Sequence, residues 1–399
     1  MMAFYKKNQK VIIYLALSAI VLVGLFYRVR MALHIQYAIQ YEGTPYTHDE
    51  YHYLEMTKNL LAGRGYGYWG GRDAYVTPGY PLLMTAVMAV FGAGDDGILA
   101  MKLVQVAMSA ACVLFVFLLC VKLTKSRGAG LIAAMFVSFY PPLILYARHL
   151  LTETPYIFFL LLYFNIQLWV FRKKAPLHAA AGALFGITIL IRPMIAVLLP
   201  LPYIVAFIMD KNRDERRKVL KSFGYFALAV IMVMLPWWVR NIMVLHKFVL
   251  FATQANPFYA GVVRDYGNLP PSSNQFADGI KLLFHKLATE PLTTIKWFTI
   301  GKIDLLFSKP AYSLPAGVTY LISIASPIHI HLVSLGSLGT LAGLFDKRLR
   351  LLSLYTLFYI ALSLLFIPTS RFGLQYMPLF AVYAAYIIQR VFGAPAHVE

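Results

Sequence analysis

Apolar residues run along this chain in stretches of about 17–25 positions, the length an α-helix needs to cross the hydrocarbon core of a bilayer. The runs fall at 11–27, 98–121, 128–147, 154–171, 177–191, 194–209, 222–239, 324–345, 351–367 and 374–391. They predict an all-α polytopic membrane protein, a bundle of about ten transmembrane helices. The runs at 177–191 and 194–209 are short for a span, and Pro310, Pro315 and Pro327 interrupt the pattern between 300 and 345. The alternation of polar and apolar residues that marks an outer-membrane barrel is absent.

The polar segments between the runs divide by charge. Lys6/Lys7/Lys10, Lys122/Lys125/Arg127, Arg172/Lys173/Lys174, the cluster from Lys211 to Lys221, and Lys347/Arg348/Arg350 occupy short basic linkers. Such linkers stay in the cytoplasm. Putting them all on that side leaves both termini cytoplasmic and two long loops outside, at about 28–97 and 240–315. No internal repeat or ordinary soluble domain interrupts this plan, so residues 1–399 read as one integral-membrane domain. Its chemistry must lie in the spans or the outer loops.

Within the first outer loop, "YVTPGYPLLMTAVMAVFG" is apolar for only about 13 residues before Gly92, too short to span, and predicts an interfacial or re-entrant helix. Upstream, Thr47-His-Asp-Glu50 has the S/T-x-x-E form of a capping box. Tyr53, Met56 and Leu60 form an apolar stripe at helical spacing, and Gly63 is a good stop. A second interfacial helix is expected there, with Glu50 as its cap. The glycines from Gly65 to Gly71 make a loop and not a phosphate cradle, since no strand precedes them.

Composition agrees with the membrane assignment. Of the 399 residues 60% are hydrophobic and only 13% charged. The net charge of +19 is explained by the cytoplasmic linkers, so nucleic acid is not an expected partner. Cys112 and Cys120 share one helix and lie about 12 Å apart along its axis, too far for a disulfide. The first apolar run lacks a small-residue cleavage site and reads as a retained helix.

A set of charges at the outer ends of the runs is left unexplained by topology. Asp49 and Glu50 follow the first run; Arg148 and Glu153 lie in the turn "YARHLLTETPY"; Arg192 lies in "ILIRPM"; Arg240 ends "LPWWVR"; Arg371 lies in "IPTSRFGLQ". Ionisable groups near membrane depth are costly and are paired or functional. Brought to one depth, they form a polar cavity with carboxylates on one side and guanidiniums on another. Guanidinium forks match phosphate oxygens, and a carboxylate can take a proton from a hydroxyl. The combination suits a reaction in which a phosphate leaves and a hydroxyl attacks. On a face with no nucleotide supply, the phosphate is that of a lipid.

Other readings of these residues are simpler. His48 and His52 have a metal-capable i, i+4 spacing, but HDEYH puts Asp where the zincin motif needs Glu, and no third ligand is fixed between Glu55 and His34. No cofactor is expected; a divalent metal is compatible but not indicated. His329 and His331 read as packed or interfacial. Trp237 and Trp238 fit an interfacial belt, and the lysines from Lys281 to Lys302 fit contacts with anionic headgroups. Arg148 and Arg192 also serve as turn or headgroup anchors, and Glu153 suits the N-terminal dipole of the run it begins.

In pattern and order, these segments resemble the GT-C glycosyltransferases of the polyprenyl- or dolichyl-phosphate-sugar group, which includes the protein O-mannosyltransferases and the aminoarabinose transferases. The resemblance is carried by "HDEYHYLEMTKNLLAGRGY", "TPGYPLLMTAVMAVFG", "ARHLLTETPY", "GALFGITILIRPMIAVLLP", "LPWWVRNIMVLHKFVLFATQANPFYAG" and "SRFGLQYMPLFAVYAAY", over roughly residues 10–265 and 365–390. No counterpart of the family's large C-terminal outer domain is expected within residues 1–399.

The resemblance implies a GT-C bundle and inverting transfer of a sugar from a polyprenyl phosphate. The acceptor would be a hydroxyl or similar group on a lipid, glycan or protein, at the outer face of a plasma membrane; the compact loops favour a bacterial one. Asp49 matches the acid of the family's first loop, the base or acceptor-orienting group, and Glu153 the acid of the second; Glu50 stands beside them. Arg148, Arg192, Arg240, Arg371 and Tyr80, the last from the proline-glycine-tyrosine-proline stretch, are the substrate-binding candidates. The competing expectation is a transporter or flippase of lipid-linked sugars, which would show internal repeats and mid-span charges.

Overall fold

The computed structural model describes residues 2–34, 43–44, 46–171, 173–210, 212–264, 269, 271–310 and 319–393. The break expected at Pro315, and parts of the basic clusters at 172 and 211, lie outside the described residues. The chain is a helical bundle in the order α1 (Met2–His34), α2 (His48–Leu61), α3 (Gly79–Phe91), α4 (Asp95–Thr124), α5 (Arg127–Phe139), α6 (Pro141–Tyr146), α7 (Glu153–Val170), α8 (His178–Ile191), α9 (Leu201–Met209), α10 (Arg213–Leu245), α11 (Asn256–Gly261), α12 (Gln275–Thr289), α13 (Pro291–Lys296), α14 (Lys302–Phe307), α15 (Thr319–Gly343), α16 (Arg350–Ser363), α17 (Ser370–Gly373) and α18 (Met377–Phe392). The core is formed where α4 packs on α5 and α7, α8 on α7 and α10, and α18 on α5 and α15.

Each apolar run is helical, but only the helices at Lys10–Leu33, Asp95–Thr124, Arg213–Leu245 and Ile324–Gly343 are, among the described residues, both long and apolar enough to cross a membrane by themselves. That measure does not by itself establish the expected count of about ten spans. Proline explains two of the shortfalls. The run at 128–147 breaks between α5 and α6 at Pro141, and the run at 194–209 breaks into a 3₁₀ segment and α9 at Pro200. The interfacial helices expected in the first outer loop are α2 and α3, and α3 ends at Gly92 as its length required.

One helix runs past its expected end. The sequence opens the outer loop at 28, yet α1 continues to His34 and buries Arg28 completely. The guanidinium donates to Ser109 Oγ (2.8 Å) on α4, to the Ser138 (2.9 Å) and Val137 (2.9 Å) carbonyls on α5, and to Gly24 O (3.0 Å). A buried charge is tolerated when its donors are used, and here they bind three helices together.

The second outer segment is tied to itself and to the chain that follows α16. Trp297 Nε1 donates to Gly261 O (3.0 Å), and the Ile367 amide donates to Pro257 O (2.9 Å). Lys302 departs from its expected headgroup contact: it is fully buried, and its ammonium caps the carbonyls of Leu364 (2.5 Å) and Phe366 (3.1 Å) beyond α16. Burial lowers its pKa to about 7. Trp237 likewise is no membrane belt. It is 5% exposed and donates to Phe251 O (2.7 Å), while Trp238 donates to Leu250 O (2.9 Å). The pair pins the returning chain.

Candidate functional site

Four helix termini converge at one end of the bundle, and local sequence explains each. Thr47 caps α2: its Oγ1 accepts from the Glu50 amide (3.4 Å), while Glu50 Oε2 accepts from the Thr47 amide (3.0 Å) and hydroxyl (2.9 Å). That capping box places Asp49 in the first turn, where the helix dipole favours a carboxylate. Glu153 is the first residue of α7 and profits in the same way. Arg192 closes α8 in an extended conformation (φ −142°, ψ 109°), as a residue before proline prefers. Arg371 projects from the single turn of α17, between α16 and α18.

These four side chains meet. Arg371 Nη1 donates to Asp49 Oδ2 at 2.6 Å, and its Nε donates to Glu153 Oε1. Arg192 Nη2 donates to the same Glu153 oxygen at 2.6 Å, and its Nε to Thr152 Oγ1 at 2.9 Å. Glu153 is buried and shared by two guanidiniums, while the Asp49 side chain remains 37% exposed. The charges are therefore not sorted into acidic and basic sides, as the sequence suggested; cation and anion alternate in a chain from Asp49 through Arg371 and Glu153 to Arg192. Glu153 Oε2 is buried with no hydrogen-bond partner among the described residues.

A polar layer supports this chain from beneath. The hydroxyls of Tyr156 and Tyr359 meet at 2.5 Å, and Tyr359 donates to Gln375 Oε1 at 2.9 Å. Tyr376 donates to the Tyr359 carbonyl at 3.0 Å. Arg192 lies between the rings of Tyr156 (5.6 Å) and Phe372 (5.5 Å). Gly373 fits α17 against α14: a Cβ there would stand 2.1 Å from the Leu306 carbonyl oxygen.

The remaining candidates take other places. Glu50 is 1% exposed and spends its second oxygen on the neighbouring turn, accepting from the Leu150 amide (2.9 Å) and facing His149 Nδ1 (3.1 Å). Burial alone would raise its pKa, but the His149 imidazole and the hydrogen bonds from His149, Thr47 and Leu150 outweigh it and bring the carboxyl down to about 2. This geometry makes Glu50 a clamp between α2 and the turn before α7, out of reach of a substrate. Arg148, 1% exposed, is buried in that turn.

Tyr80 is completely buried, donates to Gln105 Oε1 (3.0 Å) and meets the edge of Tyr53 (5.1 Å). It packs α3 on α4 and offers no surface to a ligand. Arg240 is not brought to the cluster either. It reaches back to the 66–73 loop, donating to the carbonyls of Asp73 (2.7 Å) and Tyr66 (2.6 Å).

Several contributors were not singled out from the sequence. Tyr68 donates to Asp49 Oδ1 at 3.1 Å. Its hydroxyl is held well above its ordinary pKa by burial and by the Asp49 charge, so it remains a donor. Tyr53 lies in the field of Asp49, Arg371, Arg192 and Glu153 together. His149 and Thr152 stood in the quoted turn motif, but only the fold gives them partners. His48 and His52 pack ring to ring (4.5 Å) against Tyr68 and Trp69. Among the described residues, no three His, Cys, Asp or Glu side chains gather where they could hold a metal ion. The His34 side chain lies outside the described residues.

Residues 75–239 match the family model of dolichyl-phosphate-mannose-protein mannosyltransferase. No curated protein sequence matches the chain. The archaeal oligosaccharyltransferase AglB from Archaeoglobus fulgidus, in complex with an inhibitory peptide and a dolichol-phosphate, is similar with a TM-score of 0.58 at 13% identity, over 97% of this chain and 51% of that one. The Archaeoglobus fulgidus oligosaccharyltransferase tethered to an acceptor peptide gives a TM-score of 0.57 at 14% identity, over 98% and 50%. ArnT from Cupriavidus metallidurans bound to undecaprenyl phosphate gives 0.47 at 13%, over 96% and 78%.

The chain thus spans about half the length of the oligosaccharyltransferase structures it matches. The resemblance read from the sequence holds in two ways: this membrane protein has the GT-C glycosyltransferase fold along nearly its whole length, and between residues 75 and 239 it matches the mannosyltransferase family in sequence.

Proposed function

We propose that this protein transfers a sugar from a polyprenyl-phosphate donor to an acceptor hydroxyl at the extracytoplasmic face of a plasma membrane, with inversion at the anomeric carbon and Asp49 as the base. The observation that carries the reading is the alternating chain Asp49–Arg371–Glu153–Arg192, with the 2.6 Å contact of Arg371 to Asp49 at its exposed end. The match to the mannosyltransferase family over residues 75–239 and the dolichol-phosphate bound in the AglB structure support the choice of a lipid-phosphate donor.

The physics of the reaction assigns work to each group. An acceptor hydroxyl is a weak acid, so a carboxylate within hydrogen-bond reach must take its proton as the new glycosidic bond forms. Asp49 is the accessible carboxylate of the pair; Glu153 is buried and acts by orienting Arg192 and Arg371. As the bond from the anomeric carbon to the phosphate oxygen breaks, the departing lipid phosphate gains a negative charge. Fixed guanidiniums stabilise that charge best in a site poor in water, because they need not reorient during the step. The transferred proton leaves on Asp49.

The test is turnover in proteoliposomes supplied with a set of polyprenyl-phosphate sugars. Asp49→Asn should abolish transfer while leaving donor binding nearly intact. Near-normal turnover in that variant would remove Asp49 as base, and failure of every lipid-phosphate sugar to be consumed would remove the activity.

A further inference from the structure

The two oxygens of Asp49 look in different directions: Oδ2 toward Arg371, Oδ1 toward the Tyr68 hydroxyl. On the Tyr68 side stands a set of aromatic rings that the proposed chemistry does not use. Trp69 lies edge-on to His52 (4.9 Å), Tyr68 (5.0 Å), Tyr75 (5.4 Å) and His48 (5.9 Å). His52 stacks on Tyr68 at 4.5 Å. Trp69 nevertheless keeps 57% of its surface exposed.

The loop that presents these rings is firmly built. The Asp73 carboxylate accepts from the amides of Tyr68 (2.8 Å), Trp69 (3.2 Å) and Tyr75 (2.9 Å). Arg240 holds the Tyr66 and Asp73 carbonyls from below. The amides of Thr253 (2.8 Å) and Gln254 (3.1 Å) bond the carbonyls of Ala74 and Tyr75. Gly67 makes the fold of the loop possible, since a Cβ there would meet the Gly71 carbonyl oxygen at 1.6 Å. An indole that served only as a membrane anchor would need none of this frame.

From this arrangement we infer that Trp69, backed by His48, His52, Tyr68 and Tyr75, is a stacking platform for a pyranose ring of the acceptor, which is therefore a saccharide. The inference rests on the reading of Asp49 as the base. The C–H groups on the flat face of a sugar are polarised by the neighbouring oxygens, and the negative face of an indole attracts them. A ring stacked there stands beside Tyr68, whose hydroxyl reaches Asp49 Oδ1, while Arg371 holds Oδ2. Rigidity adds affinity, because no loop must be ordered on binding. The Tyr68 hydroxyl gives its proton to Asp49 Oδ1, so toward a sugar it acts as an acceptor for a ring hydroxyl.

The experiment uses the full chain in lipid nanodiscs, probed by saturation-transfer NMR with methyl glycosides and linear trisaccharides of glucose, galactose, mannose and N-acetylglucosamine. Transfer to the C–H face of at least one of them is expected. Trp69→Ala should weaken it about tenfold, the order of one lost stacking face, and Trp69→Phe should retain most of it. The same saccharide should protect Trp69 of the unaltered protein from N-bromosuccinimide, read by peptide mass spectrometry, which removes any dependence on the fold of a variant.

No transfer to any sugar, or transfer and protection that ignore Trp69, overturns the proposal. Binding of a serine- or threonine-containing peptide that depends on Trp69, in place of the sugars, also overturns it. Loss of polyprenyl-phosphate binding in a separate assay removes the proposed activity but leaves Trp69-dependent saccharide binding standing as support for the platform.

Discussion

Arg371 and Asp49 lie 322 residues apart in sequence, and their side chains are joined at 2.6 Å. The same guanidinium bonds Glu153 through its Nε, so one planar fork spans two carboxylates from two different helices. Lysine carries the same charge but has neither the fork nor the reach. Arg371→Lys should therefore keep the protein folded and lower turnover by about two orders of magnitude, in line with removing one aligned donor from an electrostatic site. Single-turnover rates with a saturating polyprenyl-phosphate donor check this. A rate within a few-fold of the unaltered protein would show that the fork is not used.

Glu153→Gln separates stability from affinity. Glu153 is 2% exposed, and its Oε1 serves both Arg192 and Arg371. Neutralising it leaves two partly buried cations with less compensation, a change that should cost less than the about 3–5 kcal/mol of breaking a fully buried pair. Thermal unfolding in detergent should fall accordingly. The guanidiniums are at the same time released from their internal anion, so inorganic phosphate should restore more stability to this variant than to the unaltered protein.

Glu50 predicts a pH response. Its carboxyl has a pKa of about 2 in the fold against 4.5 ordinarily. A depressed carboxylate contributes stability that is complete above the ordinary value and is lost as pH falls through the folded value. Between about pH 4.5 and 2, the clamp between α2 and the 149–150 turn should release, with a contribution on the order of 3 kcal/mol at neutral pH. Hydrogen exchange of the Leu150 amide, whose acceptor is Glu50, reports this directly. Glu50→Gln should show its weakened protection already at pH 7 and no further loss through that window.

Gly373→Ala removes no charge and no hydrogen bond. Its Cβ would stand 2.1 Å from the Leu306 carbonyl oxygen, backbone against backbone, so α17 and α14 must separate. Arg371, two residues earlier, moves with the turn. Turnover should fall at least about tenfold, the sensitivity expected when a positioned group shifts by about 1 Å, while the membrane-inserted yield stays close to normal. Wild-type turnover would show that this close approach does not position Arg371.

How much of this was legible beforehand differs by element. The capping box Thr47–Glu50 and the short helix 79–91 are local: one needs four residues in order, the other a length below the bilayer thickness. Both stand in the fold where the sequence put them. The outer-turn charges were legible as a set because membrane depth makes them conspicuous. Their pairing was not. Nothing in "ILIRPM" distinguishes an arginine that joins the cluster from the one in "LPWWVR" that turns away to hold a loop, since that depends on which carbonyls and carboxylates the packed helices bring near. The role of Arg28 is hidden for the same reason: its acceptors, Ser109, Val137 and Ser138, come from two other helices.

What the sequence determined by itself was the solvent and the class of fold. Long apolar runs with basic linkers can satisfy their backbone polar groups in lipid only as helices, and this holds whatever their neighbours are. It also determined which residues had to be explained. The tertiary structure alone decided which carboxylate is accessible and which is buried, which arginines share it, and which aromatic rings stand beside Asp49. Those are relations between termini of helices distant in the chain, set by how the bundle packs, and hydrophobic periodicity carries no record of them.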